Sequence, residues 1–292
     1  MPRNNMKLLN SLFLFTITAT LFFACDKPSI VKETVSTQGT LFIIGGGSRD
    51  SALMVQLIKE SGWKPSDWIS ICPMSSRWDS AYISMNDEFK FYTKSNIRCI
   101  RVDSNTVKNP MTLDSLRKSK IIYLNGGDQS IFMMHIKGTD FKIAINEAYE
   151  NGATIAGTSA GAALMSENML TGEQKKQKKY ASAIPVLWQN NVEIVEGLGF
   201  LDSVIVDQHF IVRSRHNRLM SAVLDNPKLM GIGIDESTAI IVRGDSANVA
   251  GESVVVVYSN PKGIFKRGSD VIGARSMDLN IYQTGDRFLV KH

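Results

Sequence analysis

Short apolar runs alternate with amphipathic segments through the first half of the chain. The runs are rich in Ile and Val and are continuous, which is typical of strands buried on both faces of a parallel sheet. The pattern predicts strands at 40–45, 68–73, 97–102, 121–124 and 153–156, and helices at 50–61, 80–92, 111–118, 129–137 and 141–151. This alternation predicts an α/β, three-layer sandwich around a mostly parallel sheet, with ligand chemistry at the carboxyl ends of the strands.

The pattern changes after residue 156. The segment 167–189 is polar and irregular, and we expect a long loop or a small insertion there. A helix is predicted at 212–224. Short apolar runs separated by turn residues predict the remaining strands at 192–206, 231–234, 238–243, 249–250, 254–258, 281–283 and 287–290. We expect these strands to form the far edge of the same sheet and a β-rich C-terminal extension, within one domain over 39–292.

The first residues resemble an export signal. Arg3 and Lys7 precede an apolar stretch over 8–23, which ends at a small residue. A basic region, an apolar region of this length and a small residue describe a secretory signal peptide, which we place at 1–24. An uncleaved anchor is the alternative for this segment.

Cys25 follows the small residue directly, as in a bacterial lipoprotein signal. We predict lipidation of Cys25, so that acyl chains hold an exported protein at the membrane, facing the periplasm or the outside. Residues 25–38 are then a polar tether. The alternative is a plain cleaved signal and a secreted protein.

Composition argues against several kinds of partner. Lys and Arg number 33 and Asp and Glu 28, a net charge of +5, and the lysine-rich run at 175–179 is read as a solvated loop. No motif indicates nucleic-acid binding.

Cys72 and Cys99 lie in apolar runs without metal-ligand spacing, so free thiols are predicted, with one disulfide as the alternative. We predict no metal and no cofactor.

The segment 157–162 reads Gly-Thr-Ser-Ala-Gly-Ala and stands between an apolar run and helix-favouring residues. G-x-S-x-G in a strand–turn–helix context is the pattern of a nucleophile elbow, where small neighbours relieve the crowding of a tight turn. The new helix N-terminus offers N–H groups to an oxyanion. We predict that Ser159 is a covalent nucleophile of a hydrolase. The alternative is a glycine-rich turn that packs a helix on a strand.

A serine nucleophile needs a base near neutral pH. The chain has four histidines: His135, His209, His216 and His292. His209 follows a predicted strand in the run Asp-Gln-His-Phe, so it can reach another strand end and is the predicted base. His216 in the next helix is the reserve candidate. We expect His135 to lie in the core or on the surface of a helix, and His292 is terminal.

Three arginines, Arg213, Arg215 and Arg218, follow the predicted base. Guanidinium groups pair bidentately with carboxylates, so these side chains suit recognition of an acidic substrate. A surface helix that makes salt bridges is the alternative.

Four motifs in one order resemble the cyanophycinase family, serine peptidases whose relatives include aspartyl dipeptidase. The motifs are 126–129 (Gly-Gly-Asp-Gln), 157–162, 207–210 with the arginines and Leu219, and 231–236 (Gly-Ile-Gly-Ile-Asp-Glu). The resemblance spans most of the chain after the signal. It implies a fold related to class I glutamine amidotransferases, with serine where those enzymes have cysteine, and a metal-free hydrolase.

The resemblance also implies site residues. Ser159 is the nucleophile and His209 its base, and the substrate pocket is shaped by Gln129, Asp207, Gln208, Arg213, Arg215 and Arg218. The triad acid is expected in the loop after the nucleophile helix, where we prefer Glu173 on spacing, with Glu167 as the alternative in that loop. Asp207, close to His209 in the sequence, is a further candidate to orient the base. For the oxyanion we expect backbone N–H groups of Ala160 and of Gly127 or Gly46.

The implied function is hydrolysis of aspartyl peptide bonds, such as β-aspartyl-arginine units, in peptides or a cyanophycin-like polymer, by an enzyme for which a homodimer is expected. An aspartyl dipeptidase and a non-catalytic lipoprotein that binds acidic peptides are the alternatives. The glycines at 45–47 end a strand before a helix, but they lack the spacing of a dinucleotide or P-loop motif, which argues against nucleotide binding.

Overall fold

The computed structural model describes residues 39–73, 79–94, 96–177, 183–263, 265–267 and 270–290. The predicted signal peptide, the tether with Cys25, and His292 lie outside the described residues. None of the helices in the described ranges is both long and apolar enough to cross a bilayer.

The secondary structure follows the predicted alternation. The strands of the described residues are β1 Thr40–Ile44, β2 Trp68–Cys72, β3 Asn96–Cys99, β4 Ser119–Leu124, β5 Thr154–Thr158, β6 Asn168–Gln174, β7 Val192–Glu196, β8 Val204–Gln208, β9 Met230–Ile234, β10 Thr238–Arg243, β11 Ser246–Gly251, β12 Val255–Ser259, β13 Phe265–Arg267, β14 Ile272–Ala274, β15 Asp278–Tyr282 and β16 Arg287–Leu289. The α-helices are α1 Ser51–Ser61, α2 Asp79–Tyr92, α3 Pro110–Arg117, α4 Gln129–Ile136, α5 Asp140–Glu150, α6 Ala160–Ala163 and α7 His216–Asp225.

The main sheet has eight strands in the order β16-β11-β10-β1-β5-β4-β2-β3. The five strands from β1 to β3 in this order pair in parallel, and β10, β11 and β16 join antiparallel at one edge. Alternate side chains of β1 enter different cores: Phe42 and Ile44 pack with α1 and α2, whereas Leu41 and Ile43 pack with α3 to α6. Helices on both faces confirm the three-layer α/β prediction.

The C-terminal strands, predicted as the far edge of the main sheet and a β-rich extension, divide between two sheets. β10, β11 and β16 extend the main sheet, but β8, β9, β12 and β15 form a separate four-stranded sheet in the order β15-β12-β9-β8. This sheet has its own apolar cluster, in which Leu219 and Val223 of α7 pack on Ile205 and Val256. Because α7 covers one face and the main core the other, these strands are buried on both sides, and their sequence resembles that of the main-sheet strands.

Two local predictions are wrong. The segment 167–189 was expected to be irregular, but β6 within it pairs antiparallel with β7, with Met169 and Leu170 buried. Helix α7 begins at His216 instead of 212, because residues 209–215 form a compact turn in which the Arg213 N–H donates to the His209 carbonyl at 3.0 Å. Cys72 and Cys99 are free thiols, as predicted.

Candidate active site

Ser159 stands between the end of β5 and the start of α6. Its backbone has φ 55° and ψ −114°, a conformation that side-chain-bearing residues rarely adopt. The Ser159 N–H donates to the carbonyl of Ile44 at 3.1 Å, which ties the turn to the end of β1. Strand, sharp turn and helix therefore follow one another in the geometry that lifts a serine side chain above the sheet edge.

His209 meets Ser159 from the second sheet. It follows β8 directly, and its Nε2 lies 2.7 Å from Ser159 Oγ. The His209 N–H donates to the carbonyl of Gly45 at 2.7 Å, so the histidine is fixed to the turn after β1. Its side chain is largely buried, and the pair is in position for transfer of the hydroxyl proton to the imidazole.

The carboxylate on His209 is Glu236, which the sequence reasoning did not select. Glu236 Oε1 lies 2.5 Å from His209 Nδ1, and Glu236 follows β9, the parallel neighbour of β8. The expected acid, Glu173, is exposed on β6, and Glu167 is exposed before it. The sequence did contain a signal for Glu236. The apolar run 230–234 is followed by Asp235 and Glu236, just as the apolar run of β8 is followed closely by His209.

The surroundings of His209 favour its neutral form. Burial lowers the pKa of His209, and Arg213 and Arg215 lower it further, whereas the hydrogen bond and charge of Glu236 raise it. The net effect is a pKa below the usual value for histidine. The imidazole is therefore a proton acceptor at neutral pH, as a general base requires.

The turn after β1 packs directly against this pair. A Cβ atom at Gly46 would lie 2.5 Å from Nε2 and 2.7 Å from Nδ1 of His209, and one at Gly47 would lie 2.7 Å from Cβ of Glu236. Both glycines also have positive φ. Only a residue without a side chain allows this close approach, which explains the glycine run at 45–47.

Four of the predicted substrate-binding residues form a buried network instead. Arg218 Nε donates to Asp207 Oδ2 at 2.9 Å, and its Nη2 donates to the other oxygen of that carboxylate. Arg215 Nη1 donates to the carbonyl of Gln208 at 2.6 Å and also to its side-chain oxygen. All four side chains are buried. In this geometry Asp207 is the partner of two arginines, and it is not the carboxylate that orients His209.

The other predicted residues are dispersed. The Gln129 amide is buried and donates to the carbonyls of Leu170 and Thr171 at 2.8 and 3.0 Å, so it joins α4 to β6. Arg213 is exposed on the turn after His209. Gly127 borders the cleft in front of Ser159, and Ala160 is the first residue of α6, where helix N–H groups lack intrahelical partners.

The remaining histidines are placed as follows. His135 is exposed on α4, and the structure puts His216 Nδ1 2.9 Å from the Tyr258 hydroxyl, with its ring against Phe210. His216 therefore belongs to the packing of the second sheet. Within the described ranges no group of three or more His, Cys, Asp or Glu side chains is arranged to hold a metal ion.

A cleft of about 340 Å³ opens at Ser159 and His209. Its described lining also includes Gly46, Gly47, Arg49, Ala81, Ser84, Met85, Asn125, Gly126, Gly127 and Thr158. A Cβ atom at Gly126 would lie 3.3 Å from Cβ of Ser159, so the backbone of the turn after β4 closely borders the serine. The volume of the cleft lies within the usual range for small-molecule sites, about 300–1,000 Å³.

Proteins with similar sequences include cyanophycinases of several organisms. The cyanophycinases of Trichormus variabilis and Nostoc sp. are each 29% identical to this chain over 275 residues, which cover 89% of this chain and 89% of theirs. The cyanophycinase of Synechococcus elongatus is 33% identical over 138 residues, 47% of this chain and 40% of that protein.

Two solved structures share the fold. A peptidase from an acI-B1 actinobacterium superposes with a TM-score of 0.61 at 21% identity, over 86% of this chain and 97% of that one. A putative peptidase E from Listeria monocytogenes superposes with a TM-score of 0.53 at 16% identity, over 74% of this chain and all of that one. These likenesses confirm the glutamine amidotransferase-like α/β fold.

The family model for peptidase family S51 matches residues 41–250, which span the main sheet from β1 to β11 and contain Ser159, His209 and Glu236. The match confirms the resemblance that the motifs suggested. The chain belongs to peptidase family S51 and is a serine-type peptidase of the cyanophycinase kind.

Proposed function

We propose that this protein is an exported peptidase that hydrolyses aspartyl peptide bonds through an acyl-enzyme on Ser159. The observation that carries the proposal is the hydrogen-bonded series from Ser159 Oγ to His209 Nε2 at 2.7 Å and from His209 Nδ1 to Glu236 Oε1 at 2.5 Å. A nucleophile, a base and a carboxylate in this order form a catalytic triad.

The reaction follows from this geometry. His209 Nε2 takes the proton from Ser159 Oγ as the oxygen attacks the peptide carbonyl, and Glu236 holds the ring and stabilises the imidazolium that forms. Backbone N–H groups of Ala160 and Gly127 donate to the oxyanion of the tetrahedral intermediate. The imidazolium then protonates the leaving amine. Water, activated by the same imidazole, hydrolyses the acyl-enzyme and restores the serine.

The substrate class rests on the relatives and on charge. The similar curated proteins are named cyanophycinases, and exposed Arg213 beside His209 supplies positive charge for an acidic substrate. We propose that the substrates are peptides with an aspartyl residue on the acyl side, including β-aspartyl-arginine units.

A homodimer is part of this proposal and is tested by sedimentation of the protein that lacks residues 1–24.

The proposed location rests on the first residues of the chain. A signal over 1–24 and lipidation of Cys25 would hold the peptidase at the membrane, facing polymer or peptides outside the cytoplasm. Metabolic labelling with a radioactive fatty acid tests this. Incorporation should be lost in Cys25→Ser, and incorporation that is equal in both proteins would contradict lipidation.

The test of the activity compares the protein that lacks residues 1–24 with its Ser159→Ala variant on cyanophycin and on α- and β-aspartyl dipeptides. Release of β-aspartyl-arginine that depends on Ser159 supports a cyanophycinase, and cleavage of the dipeptides alone supports an aspartyl dipeptidase. If neither protein acts and a fluorophosphonate does not label Ser159, the peptidase proposal fails in favour of a binding protein.

A further inference from the structure

Arg49 lies on the wall of the cleft that contains Ser159 and His209. It stands between the turn after β1 and the first turn of α1, and only 18% of its side chain is exposed. Glu88 of α2 holds the guanidinium from one edge: Nε lies 3.2 and 3.3 Å from the two carboxylate oxygens, and Nη2 donates at 2.7 Å. This pairing fixes the guanidinium plane before any ligand binds.

The guanidinium retains hydrogen-bonding capacity. It carries five N–H donors, and Glu88 accepts from Nε and Nη2, which leaves three donors. In the part of the chain that the structure describes, no other residue accepts a hydrogen bond from this side chain. A nearly buried guanidinium with donors to spare, on the wall of a substrate cleft, is suited to bind an acceptor that the substrate brings.

The other buried arginines near the site are already engaged. Arg218 is paired with Asp207, and Arg215 with Gln208 and Asp207. Neither is among the described residues that line the cleft. A substrate carboxylate would have to break these bonds in order to bind there, whereas at Arg49 it would meet donors that no described residue occupies.

Arg49 is also well fixed relative to the nucleophile. It follows β1, whose Ile44 is the register partner of Thr158 and accepts the Ser159 N–H at 3.1 Å. The turn from Gly45 to Gly47 between Ile44 and Arg49 packs on His209 and Glu236. A group bound by Arg49 would therefore be held relative to Ser159 by the same turn that positions the base.

We infer that Arg49 is a specificity-determining residue that binds a carboxylate of the substrate, an inference that rests on the proposed function. In both α- and β-aspartyl acyl groups, two carbon atoms, Cα and Cβ, separate the free carboxylate from the scissile carbonyl. One arginine can therefore bind the carboxylate of either linkage. The free C-terminal carboxylate of the leaving residue has the same chemistry. The test separates the two sources.

The test measures binding without turnover. Ser159→Ala and Ser159→Ala/Arg49→Gln are titrated by calorimetry with a β-aspartyl dipeptide, with the analogue in which the aspartyl α-carboxylate is an amide, and with the analogue in which the C-terminus is an amide. Arg49→Gln should weaken binding of the diacid about 10-fold or more, the usual scale of a charge-assisted pair. Arg49→Gln should not change the affinity of the analogue in which an amide replaces the carboxylate that Arg49 binds. The analogue whose affinity stays unchanged therefore identifies that carboxylate.

Arg117→Gln is the matched control, because Arg117 forms a similar pair with Glu147 at 2.5 Å on the surface. It should alter none of the affinities. An equal loss for all three peptides in Arg49→Gln would indicate a structural role and overturn the inference, as would no change for the diacid or no binding to Ser159→Ala. If Arg49→Gln does not fold, Arg49→Lys replaces it, and a selective loss with the diacid is again expected.

Failure of the proposed function gives a different result. If the protein hydrolyses nothing through Ser159 but still prefers the diacid in an Arg49-dependent way, the carboxylate site is supported and the peptidase proposal fails. If the protein is a peptidase but the ratio of kcat/KM for the diacid to kcat/KM for the amide is the same in Arg49→Gln as in the parent, the peptidase proposal is supported and the carboxylate site is not.

Discussion

Gln208 and Ile234 are register partners in the parallel pair of β8 and β9. His209 follows Gln208 directly, and Glu236 lies two residues after Ile234, so both emerge at the same edge of the sheet. His209 Nδ1 lies 2.5 Å from Glu236 Oε1. Ser159 reaches the same point from β5 of the other sheet. The candidate triad therefore depends on how the ends of two separate sheets face each other.

Glu236→Gln should lower kcat about 10²- to 10⁴-fold, because a neutral amide neither stabilises the imidazolium nor enforces the required tautomer. Steady-state kinetics on an aspartyl dipeptide measures this. Glu173→Gln is the matched control, since Glu173 is an exposed residue of β6, and should be as active as the parent. A large loss in Glu173→Gln with an active Glu236→Gln would reverse the assignment.

The pH profile follows from the pKa of His209. Activity requires neutral imidazole, and burial places the His209 pKa below about 6.5, so kcat/KM should rise to its plateau with a midpoint below that pH. Because Glu236 raises this pKa, the residual activity of Glu236→Gln should have its midpoint at still lower pH. Arg213→Gln should move the midpoint upward. An unshifted midpoint in both variants would show that another group controls the profile.

Ser159→Gly should be inactive yet more stable than the parent. Relief of the backbone strain at φ 55° should stabilise the folded state by roughly 1–3 kcal/mol. The added freedom of glycine in the unfolded chain should destabilise the folded state by about 0.5–1 kcal/mol. Thermal unfolding should show a Tm higher by about 2–4 °C. Ser159→Ala keeps the strained backbone and should show no such rise. Equal Tm values for the two variants would mean that the turn is not strained.

Gly46→Ala should fold and lose most activity, because its methyl group would occupy the space of the His209 imidazole. Fluorophosphonate labelling of Ser159 is the measurement. Gly138→Ala is the control: Gly138 also has positive φ, but a Cβ atom there would meet no atom of the described residues within 4 Å. It should lose a little stability and no reactivity. Equal reactivity of the two variants would rule out the steric explanation.

Asp207→Asn should reduce stability far more than substrate affinity. Removing one partner of a buried ion pair typically costs about 3–5 kcal/mol, and Asp207 is buried with Arg218 and Arg215. Denaturant unfolding should show this loss, with KM unchanged. Asp114→Asn, which breaks the exposed pair with Lys118, should show no resolvable change. A raised KM at unchanged stability would return Asp207 to the substrate pocket.

Much of the fold could be predicted because local pattern determines it. The strand before Ser159, the small residues of the turn and the helix after it are adjacent in the chain, so their geometry is visible in the sequence. His209 could be selected because it follows an apolar strand. The second sheet could not be separated from the first, because strands that are covered on both faces have the same composition in either sheet.

The partners of the site residues were decided by tertiary structure. Glu173 and Glu236 are both glutamates after the nucleophile, and only the β8–β9 register brings Glu236 to His209. Likewise, Arg49 lines the cleft while Arg218 is paired with Asp207, although both are arginines near motif residues. Local sequence pattern predicted most of the strands, the turn and the candidate nucleophile, since these depend on neighbouring residues, but it missed β6. Contacts between distant strand ends depend on sheet pairing and register, which one chain's local pattern does not encode.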